Sequence, residues 1–327
     1  MCVCVLALLF SCSPEELSID NVTNETVSIN EANIEAYNEL YGLYCNPEAF
    51  DKIVKIDGKL SFESIEHFGE VLSCLESLVD AHEDNFIDSH PELTADELDD
   101  LEQKVGHRQY APLEVFEHLL DFSSRRALVE SQIVEWLDQE EPNWEEDPDD
   151  SDYLDVAMRT LVNVEGEVII GRETRDFVSE ERPIDGRTPC YLIAYTHTWQ
   201  YYTGNDGTDR KFKCKVVATN YPSISTMHGK TVNYKRRPNN NWERRRVEMT
   251  AAVSGTRVDS GCNSSGTSGC ATTQRFRKER DCRDRVLGGG TFRFDKARDA
   301  FNTNTPVGAT STIRYGSLSL SDTAILN

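Results

Sequence analysis

Hydrophobic residues in the first half of the chain recur every three or four positions, which is the spacing of helices with one buried face. The clearest stripe joins Ile65, Phe68 and Leu72, and it predicts a helix that begins near Ser64 with acidic residues on its other face. Three further stretches have the same spacing, namely residues 31–45, 112–137 and 154–162. The first half of the chain is therefore predicted to be mainly helical.

Local signals mark several of these helix starts. Residues 28–31 and 94–97 match a capping box, in which a hydroxyl and a carboxylate satisfy exposed backbone N–H groups. Pro112 suits the first turn of a helix, where its missing N–H is not needed. We therefore expect separate helices after each of these positions.

Alternating patterns predict strands elsewhere. Apolar residues on both sides of Asp57-Gly58, a pair suited to a tight turn with positive φ, predict a short hairpin over residues 53–62. Glu165-Gly166 precedes a predicted strand at residues 168–170. Beyond Arg187 the pattern has period two, with turn residues between the strands, which predicts an antiparallel sandwich or a partly open barrel.

Charge divides the chain in the same way. The net charge of the 327 residues is −23, yet residues 187–327 contain 23 Lys plus Arg against 11 Asp plus Glu. The remaining residues contain 11 against 46. Such asymmetry is typical of two domains with different surfaces. We therefore predict an α+β protein with an acidic helical domain at residues 28–162 and a basic, mainly antiparallel β domain at residues 163–327.

The N-terminus matches a bacterial lipoprotein signal. An apolar run over residues 3–10 ends at Ser11-Cys12, where a signal peptidase could cleave, so residues 1–11 are predicted to be a signal peptide. Acyl chains on Cys12 would hold the protein on a membrane surface. The polar residues 12–27 are predicted to be a flexible tether. No other segment has the apolar length of a membrane-spanning helix.

Two motifs resemble a known group of proteins. The stretches Ile56-Asp57-Gly58-Lys59-Leu60-Ser61-Phe62 and Leu161-Val162-Asn163-Val164-Glu165-Gly166-Glu167-Val168-Ile169-Ile170-Gly171 resemble uncharacterised lipoproteins of the Bacteroidota. That resemblance implies an exported helical part followed by a β-rich domain, and no activity. Glu15-Glu16, directly after the lipidated cysteine, resemble a signal for the outer face of the outer membrane. The cell surface is the expected location, and the periplasmic face stays open as an alternative.

The cysteines fit an exported protein. Seven of the ten lie beyond the signal region, and Cys262 and Cys270 flank a Gly/Ser-rich loop, which makes them the candidate disulfide. Cys45 and Cys74 are interpreted instead as small buried hydrophobic residues.

A basic hairpin is the main candidate binding site. Its aromatic and cationic residues are Tyr234, Lys235, Arg236, Arg237, Trp242, Arg244, Arg245 and Arg246. Guanidinium groups bind phosphate, sulfate or carboxylate with forked hydrogen bonds, and the aromatic rings could stack on sugars. The competing interpretation is that the hairpin docks on the acidic half of the same chain or keeps a sheet edge soluble.

No pattern identifies a metal, cofactor or catalytic site. The acidic stretches 80–90 and 147–152 lack the glycine and terminal glutamate of an EF-hand loop. His82 and His90 are eight positions apart, unlike the helical zinc pair. His197 is interpreted as a hydrogen-bonded strand residue. We therefore expect no cofactor and no metal, and no recognisable module predicts specific nucleic-acid binding.

The leading hypothesis is a non-enzymatic surface lipoprotein that binds an anionic polymer, such as an anionic glycan, or an envelope protein through its β domain. One alternative is an exported hydrolase of glycan or peptide, for which acids of raised pKa would converge in a cleft. The other is a structural subunit of a cell-envelope complex, which a large exposed apolar patch would favour.

Overall fold

The structure is a computed structural model of the chain. It describes residues 45–149, 154–178, 192–204, 207–221, 224–245, 248–258, 273–281, 292–293, 307–315 and 318–326. The predicted signal peptide, the lipid attachment residue Cys12, the tether, the first predicted helix, Arg246 and the Cys262–Cys270 pair lie outside these residues.

The first part of the fold consists of helices and one small sheet. The helices are α1 (Pro47–Asp51), α2 (Ile65–Asp88), α3 (Ala95–Val105), α4 (Ala111–Leu119), α5 (Arg125–Leu137) and α6 (Val156–Leu161), with a 3-10 turn at Trp144–Glu146. The strands are β1 (Val54–Ile56), β2 (Lys59–Phe62), β3 (Glu167–Ile170) and β4 (Glu173–Asp176). Within the described helices, none combines the length and the hydropathy needed to cross a bilayer.

Five of the six described helices begin at a side-chain cap, and sequence signals predicted the caps of α2 and α3. The Ser64 hydroxyl accepts a hydrogen bond from the His67 backbone N–H at 3.3 Å, at the start of α2. At α3 both halves of the capping box are formed between Thr94 and Glu97. Each cap satisfies backbone donors that have no partner inside the helix.

The small sheet joins the two ends of the helical part. The predicted hairpin is confirmed, since β1 and β2 pair antiparallel around Asp57 and Gly58, both with positive φ. β2 then pairs in parallel with β3, and β3 pairs with β4, in the order β1-β2-β3-β4. Residues 167–176 thus belong to the same sheet as the first hairpin. The sheet therefore lies on both sides of the predicted boundary at residue 162, and the division into two domains stays a prediction.

Gly166 is required at the turn into β3. Its φ is +89°, and a Cβ at this position would lie 2.4 Å from the Val178 side chain. A larger residue would therefore suffer both backbone strain and a clash.

One core lies between α2 and this sheet. The stripe predicted for α2 is buried, with Phe68 and Leu72 at 0% exposure, and it packs with Leu60 and Phe62 of β2 and Val168 of β3. Burying such a side chain contributes about 1.5–3 kcal/mol.

Cys45 and Cys74 correct one expectation. Both residues are buried, but they form a disulfide that links the segment just before α1 to α2, with their Cα atoms 5.2 Å apart. The sequence contained a spacing of 29 residues between them and no sign that α1 folds back onto α2.

The second part of the fold is β-rich, and the α+β prediction is confirmed. Its strands are β5 (Leu192–Thr203), β6 (Asp209–Tyr221), β7 (Ile224–Arg236), β8 (Trp242–Arg244), β9 (Glu248–Val258), β10 (Thr273–Asp281), β11 (Phe292–Arg293), β12 (Val307–Tyr315) and β13 (Leu318–Leu326). One sheet has the order β11-β7-β6-β5 with β8 beside β7, and the other has the order β10-β9-β12-β13. All of these pairings are antiparallel. β12 and β13 lie against β5, β6 and β7, which is the arrangement of a sandwich.

Candidate binding site where the helices meet the sandwich

The acidic helical part and the basic sheet are in direct contact. A second apolar cluster joins Ile133 and Trp136 of α5 to Val232 and Tyr234 of β7 and to Trp242 of β8. The opposite charges of the two parts of the sequence therefore meet at an interface within one chain.

All four tryptophans of the chain lie at this interface. Trp144, in the 3-10 turn, is central: its ring centroid is 4.9 Å from that of Trp136, 5.1 Å from that of Trp242 and 5.2 Å from that of Trp199. The Tyr234 ring lies 5.4 Å away. These rings meet mainly edge to face, the arrangement that their quadrupoles favour. We call Trp136, Trp144, Trp199, Trp242 and Tyr234 the aromatic cluster.

Alternate residues of β6 bring lysines against the acidic segment at residues 144–149. Lys213 forms an ion pair with Asp147, with its Nζ 2.8 Å from the Asp147 Oδ2 and both side chains 0% exposed. The Lys215 Nζ donates to the backbone carbonyl of Asp149 at 2.6 Å. The side chain of Asp149 in turn pairs with Arg159 at 2.9 Å. Buried charges persist in a fold when they are paired in this way.

Lys211 lies on the same face of β6 and has a different environment. Its Nζ is 3.9 Å from the ring centroid of Trp144, 4.2 Å from that of Trp199 and 4.3 Å from that of Tyr201. It also donates to the Tyr201 hydroxyl at 2.8 Å. Burial, opposed by the attraction of Glu145, lowers the pKa of Lys211 to about 7. The amine thus lies in an aromatic cage formed by the rings of Trp144, Trp199 and Tyr201, and its contacts with these rings do not fully offset the loss of hydration.

The cage reaches solvent on one side. Tyr201 is 65% exposed and Trp144 and Trp199 are half-buried, whereas Lys211 is only 2% exposed. The indole Nε1 of Trp199 is buried and has no hydrogen-bond partner among the described residues. Flat apolar rings beside an amine donor can hold a ligand that has both an apolar face and an anionic group.

The structure places the predicted hairpin residues beside this cage. Tyr234 and Trp242 are buried in the aromatic cluster, at 0% and 8% exposure, so their rings contact protein. The arginines near the tip pair within the β-rich part: the Arg237 Nε is 2.6 Å from Glu243, and the Arg236 Nη1 is 3.7 Å from Asp209.

Other hairpin residues contact the acidic helices. The Arg244 Nη1 lies 3.4 Å from Glu130 of α5, and the Arg245 Nη2 lies 2.7 Å from Asp100 of α3. These contacts match the interpretation in which the hairpin docks on the acidic half of the chain. Lys235 is half-buried. Ligand binding by the hairpin stays a prediction. To bind an anionic ligand, the hairpin arginines would first have to break these ion pairs.

Sequence reasoning did not select the residues of the cage. His197, Trp199 and Tyr201 alternate on β5, and the His197 ring lies 5.9 Å from the Trp199 ring. This alternation was visible in the sequence and could have suggested an aromatic face. The position of Trp144 could not be anticipated, because that residue lies 55 positions before Trp199 in the chain.

Comparison with known proteins gives one weak structural neighbour. No protein-family model matches the chain, and no curated protein matches it. Among solved structures, the chain is similar to a DUF4848 family protein from Bacteroides thetaiotaomicron, with 13% sequence identity and a TM-score of 0.21. The alignment covers 84% of this chain and 100% of that chain. A TM-score this low is not evidence for a shared fold.

Proposed function

We propose that this protein is a non-enzymatic binding protein, anchored to the outer membrane through Cys12, that binds acidic glycans with its β-rich part. The observation that supports this function is the arrangement of three rings, the exposed Tyr201 and the half-buried Trp144 and Trp199, around the Lys211 amine.

The rings and the amine suit different parts of such a ligand. The C–H face of a sugar packs on flat aromatic rings, and a carboxylate or sulfate on the sugar accepts hydrogen bonds from an ammonium group. The desolvated Lys211 amine is poorly stabilised as a cation in the free protein, with a pKa of about 7. An anion beside it would favour the protonated form, because an opposite charge raises the pKa of an amine.

The cage is a better candidate for the binding site than the hairpin cations are. Arg244 and Arg245 have acidic partners on α5 and α3, so an anionic polymer would have to compete with them. The contacts of Trp242 instead suit a supporting role, in which the hairpin holds Trp144 in position. A protein partner is the second ligand class from the sequence, and no contact in the described residues favours it.

The test uses a homogalacturonan oligosaccharide, which has a carboxylate on every ring, and its neutral methyl ester. Calorimetric titration of the full chain should show binding of the acidic form, and Tyr201→Ala and Lys211→Met should each weaken it by about tenfold or more, which corresponds to ~1.4 kcal/mol. Lys104→Met removes an exposed lysine on α3 and should leave the affinity unchanged.

The pH dependence has a defined sign. Because Lys211 loses its proton as the pH rises through about 7, the affinity for the acidic oligosaccharide should fall between pH 6 and pH 8. The Lys211→Met variant should lose this dependence. Equal affinities for the wild type and both cage variants, or no binding of any acidic glycan on a wider array, would contradict the proposal.

The membrane anchor needs a separate test. Cys12→Ala should move the protein out of the detergent phase in a partition experiment, and equal partition of the two forms would exclude lipidation. The hydrolase alternative would instead be supported by release of reducing sugar or peptide ends. The structural-subunit alternative would be supported by co-purification of a defined envelope complex without any glycan affinity.

A further inference from the structure

A second group of polar side chains lies far from the aromatic cage, between α2 and α3. Three residues each place one potential metal-ligand atom in this group: Glu83 of α2, Glu102 of α3 and His107, which follows α3. These three atoms all lie within 4.8 Å of one another. Glu83 is 0% exposed, and the other two residues are half-buried.

The end of α3 creates this convergence. Gly106 ends the helix in the left-handed conformation, with φ +68°, and its backbone N–H donates to the carbonyl of Glu102. The His107 N–H donates to the same carbonyl at 2.9 Å. This turn returns the chain toward α2, so that a carboxylate and an imidazole five positions apart face the same buried glutamate.

The ring of His107 is held by stacking. It lies nearly parallel to the rings of Phe86 and His82, with centroid distances of 3.9 Å and 4.5 Å. The His82 Nε2 is itself 3.0 Å from the backbone carbonyl of Arg108. The Nε2 of His107 is thereby directed at the Glu83 carboxylate, 3.4 Å away. Fixed orientation of an imidazole is a usual property of metal-binding histidines.

The donor set suits a small divalent ion. A carboxylate with no exposed surface is costly to bury, and a second carboxylate beside it adds repulsion. A divalent cation compensates both charges at once. Two carboxylate oxygens and one imidazole nitrogen are ligands that Zn²⁺ accepts in a tetrahedral site, with a fourth position left for water.

We propose that Glu83, Glu102 and His107 form a binding site for a divalent transition-metal ion of the Zn²⁺ class. This inference is independent of the proposed glycan binding. The metal would join the end of α3 to α2. Among the described side chains of α3, Leu98 is the buried one, so this acidic helix has little apolar attachment of its own.

The site also changes an expectation from the sequence. The sequence pattern made His82 and His90 the histidines to consider as metal ligands. In the structure, a ring nitrogen of each lies at hydrogen-bond distance from a backbone carbonyl. His107 lies 24 positions after Glu83, and only the turn at Gly106 brings the two together.

Zinc titration of the chelator-treated full-length protein tests the proposal. We expect one Zn²⁺ per chain. Loss of an outer-shell partner alone weakens metal binding by ~10- to 100-fold, so Glu102→Gln and His107→Ala, which each remove a direct ligand, should weaken it by at least that much. Glu92→Gln removes an exposed carboxylate between α2 and α3 and should leave zinc affinity unchanged. Glu102 is half-buried, so its isosteric variant should fold normally, which far-UV circular dichroism can check.

A second readout distinguishes a built site from binding to the acidic surface. Zinc should raise the thermal midpoint of the wild type and of Glu92→Gln, and it should have a clearly smaller effect on Glu102→Gln, because only ligands that bind the folded state stabilise it. Equal zinc affinity in all four proteins, or equal stabilisation by Ca²⁺ and Zn²⁺, would overturn the proposal.

Discussion

The buried pair between Lys213 and Asp147 gives the sharpest test of how the two parts of the chain are held together. Asp147→Asn removes the negative charge with almost no change in shape. The Oδ1 of Asp147 accepts from the backbone N–H of Asp149 at 2.9 Å, a bond that an asparagine can keep. The Oδ2, which pairs with Lys213 at 2.8 Å, would be replaced by the NH₂ group of the amide, which cannot accept a hydrogen bond from an ammonium group.

The magnitude follows from the burial of Lys213, whose side chain is 0% exposed. Breaking a buried ion pair from one side costs about 3–5 kcal/mol. A second argument gives the same range. Removing the proton at pH 7 from an amine with an ordinary pKa of about 10.4 requires about 4.6 kcal/mol, since each pH unit below the pKa adds ~1.36 kcal/mol. We therefore expect Asp147→Asn to lower the free energy of unfolding by about 4 kcal/mol at pH 7.

Urea unfolding followed by tryptophan fluorescence measures this loss, since every tryptophan lies at the interface. Asp209→Asn is the matched control, because Asp209 is 61% exposed and its partner Arg236 lies 3.7 Å away; it should cost no more than about 1 kcal/mol. Adding Lys213→Met to Asp147→Asn should restore at least half of the lost stability, since no uncompensated charge would remain.

The pH dependence of the loss can refute the reasoning. If Lys213 is neutral in the folded variant and protonated in the unfolded chain, the unfolded state binds more protons, so the variant gains stability relative to the wild type as the pH rises. The gain should be about 1.4 kcal/mol for each pH unit between pH 7 and pH 9. A deficit that does not change with pH would show that the loss comes from packing rather than from a buried charge.

Two further predictions concern stability alone. Replacing both members of the Cys45–Cys74 disulfide by alanine should lower the free energy of unfolding by about 3–4 kcal/mol, which is the chain-entropy value for a spacing of 29 residues. Urea unfolding without reductant measures this loss, and an unchanged midpoint would contradict the prediction. Arg126→Ala should lower the free energy of unfolding by about 3–5 kcal/mol, because it leaves the buried carboxylate of Glu117 without its cationic partner. Arg245→Ala should lower it by about 1 kcal/mol or less, because its partner Asp100 is 72% exposed. Equal losses would show that burial does not determine how much these pairs contribute.

Local elements of this fold were predictable from the sequence because their signals are local. The capping box at Thr94 and the Asp57-Gly58 turn each depend on residues within a few positions of one another. The buried stripe of α2, including Phe68 and Leu72, follows from the helical period alone. Such features form in the same way whatever the rest of the chain does.

Features that need a distant partner were not predictable. The period of β6 places Lys211, Lys213 and Lys215 on one face, and a lysine-rich face is usually solvated. It is buried here because Asp147, 66 positions before Lys213, lies against it. The same limit applies to the hairpin arginines, whose acidic partners Glu130 and Asp100 lie more than 100 positions away.

The candidate sites show the same difference between local signals and contacts with distant residues. A run of arginines is conspicuous in a sequence, so the hairpin was selected, whereas single residues such as Trp144 and His107 gain meaning only from their neighbours in space. No spacing rule links Trp144 to Lys211, or His107 to Glu83.

The parallel pairing of β2 with β3 constrains the order in which the chain can fold. Ser61 pairs with Ile169 and Phe62 with Ile170, so the strand that completes the first sheet is synthesised 108 residues after its neighbour. Contacts between such distant positions form slowly, because a long loop must close before they contribute. Until residue 170 has left the ribosome, one edge of β2 is open and exposed to pairing with other chains. The helical part therefore depends on residues 167–176 to close its own sheet, and a chain shortened at residue 162 would keep a lasting aggregation site.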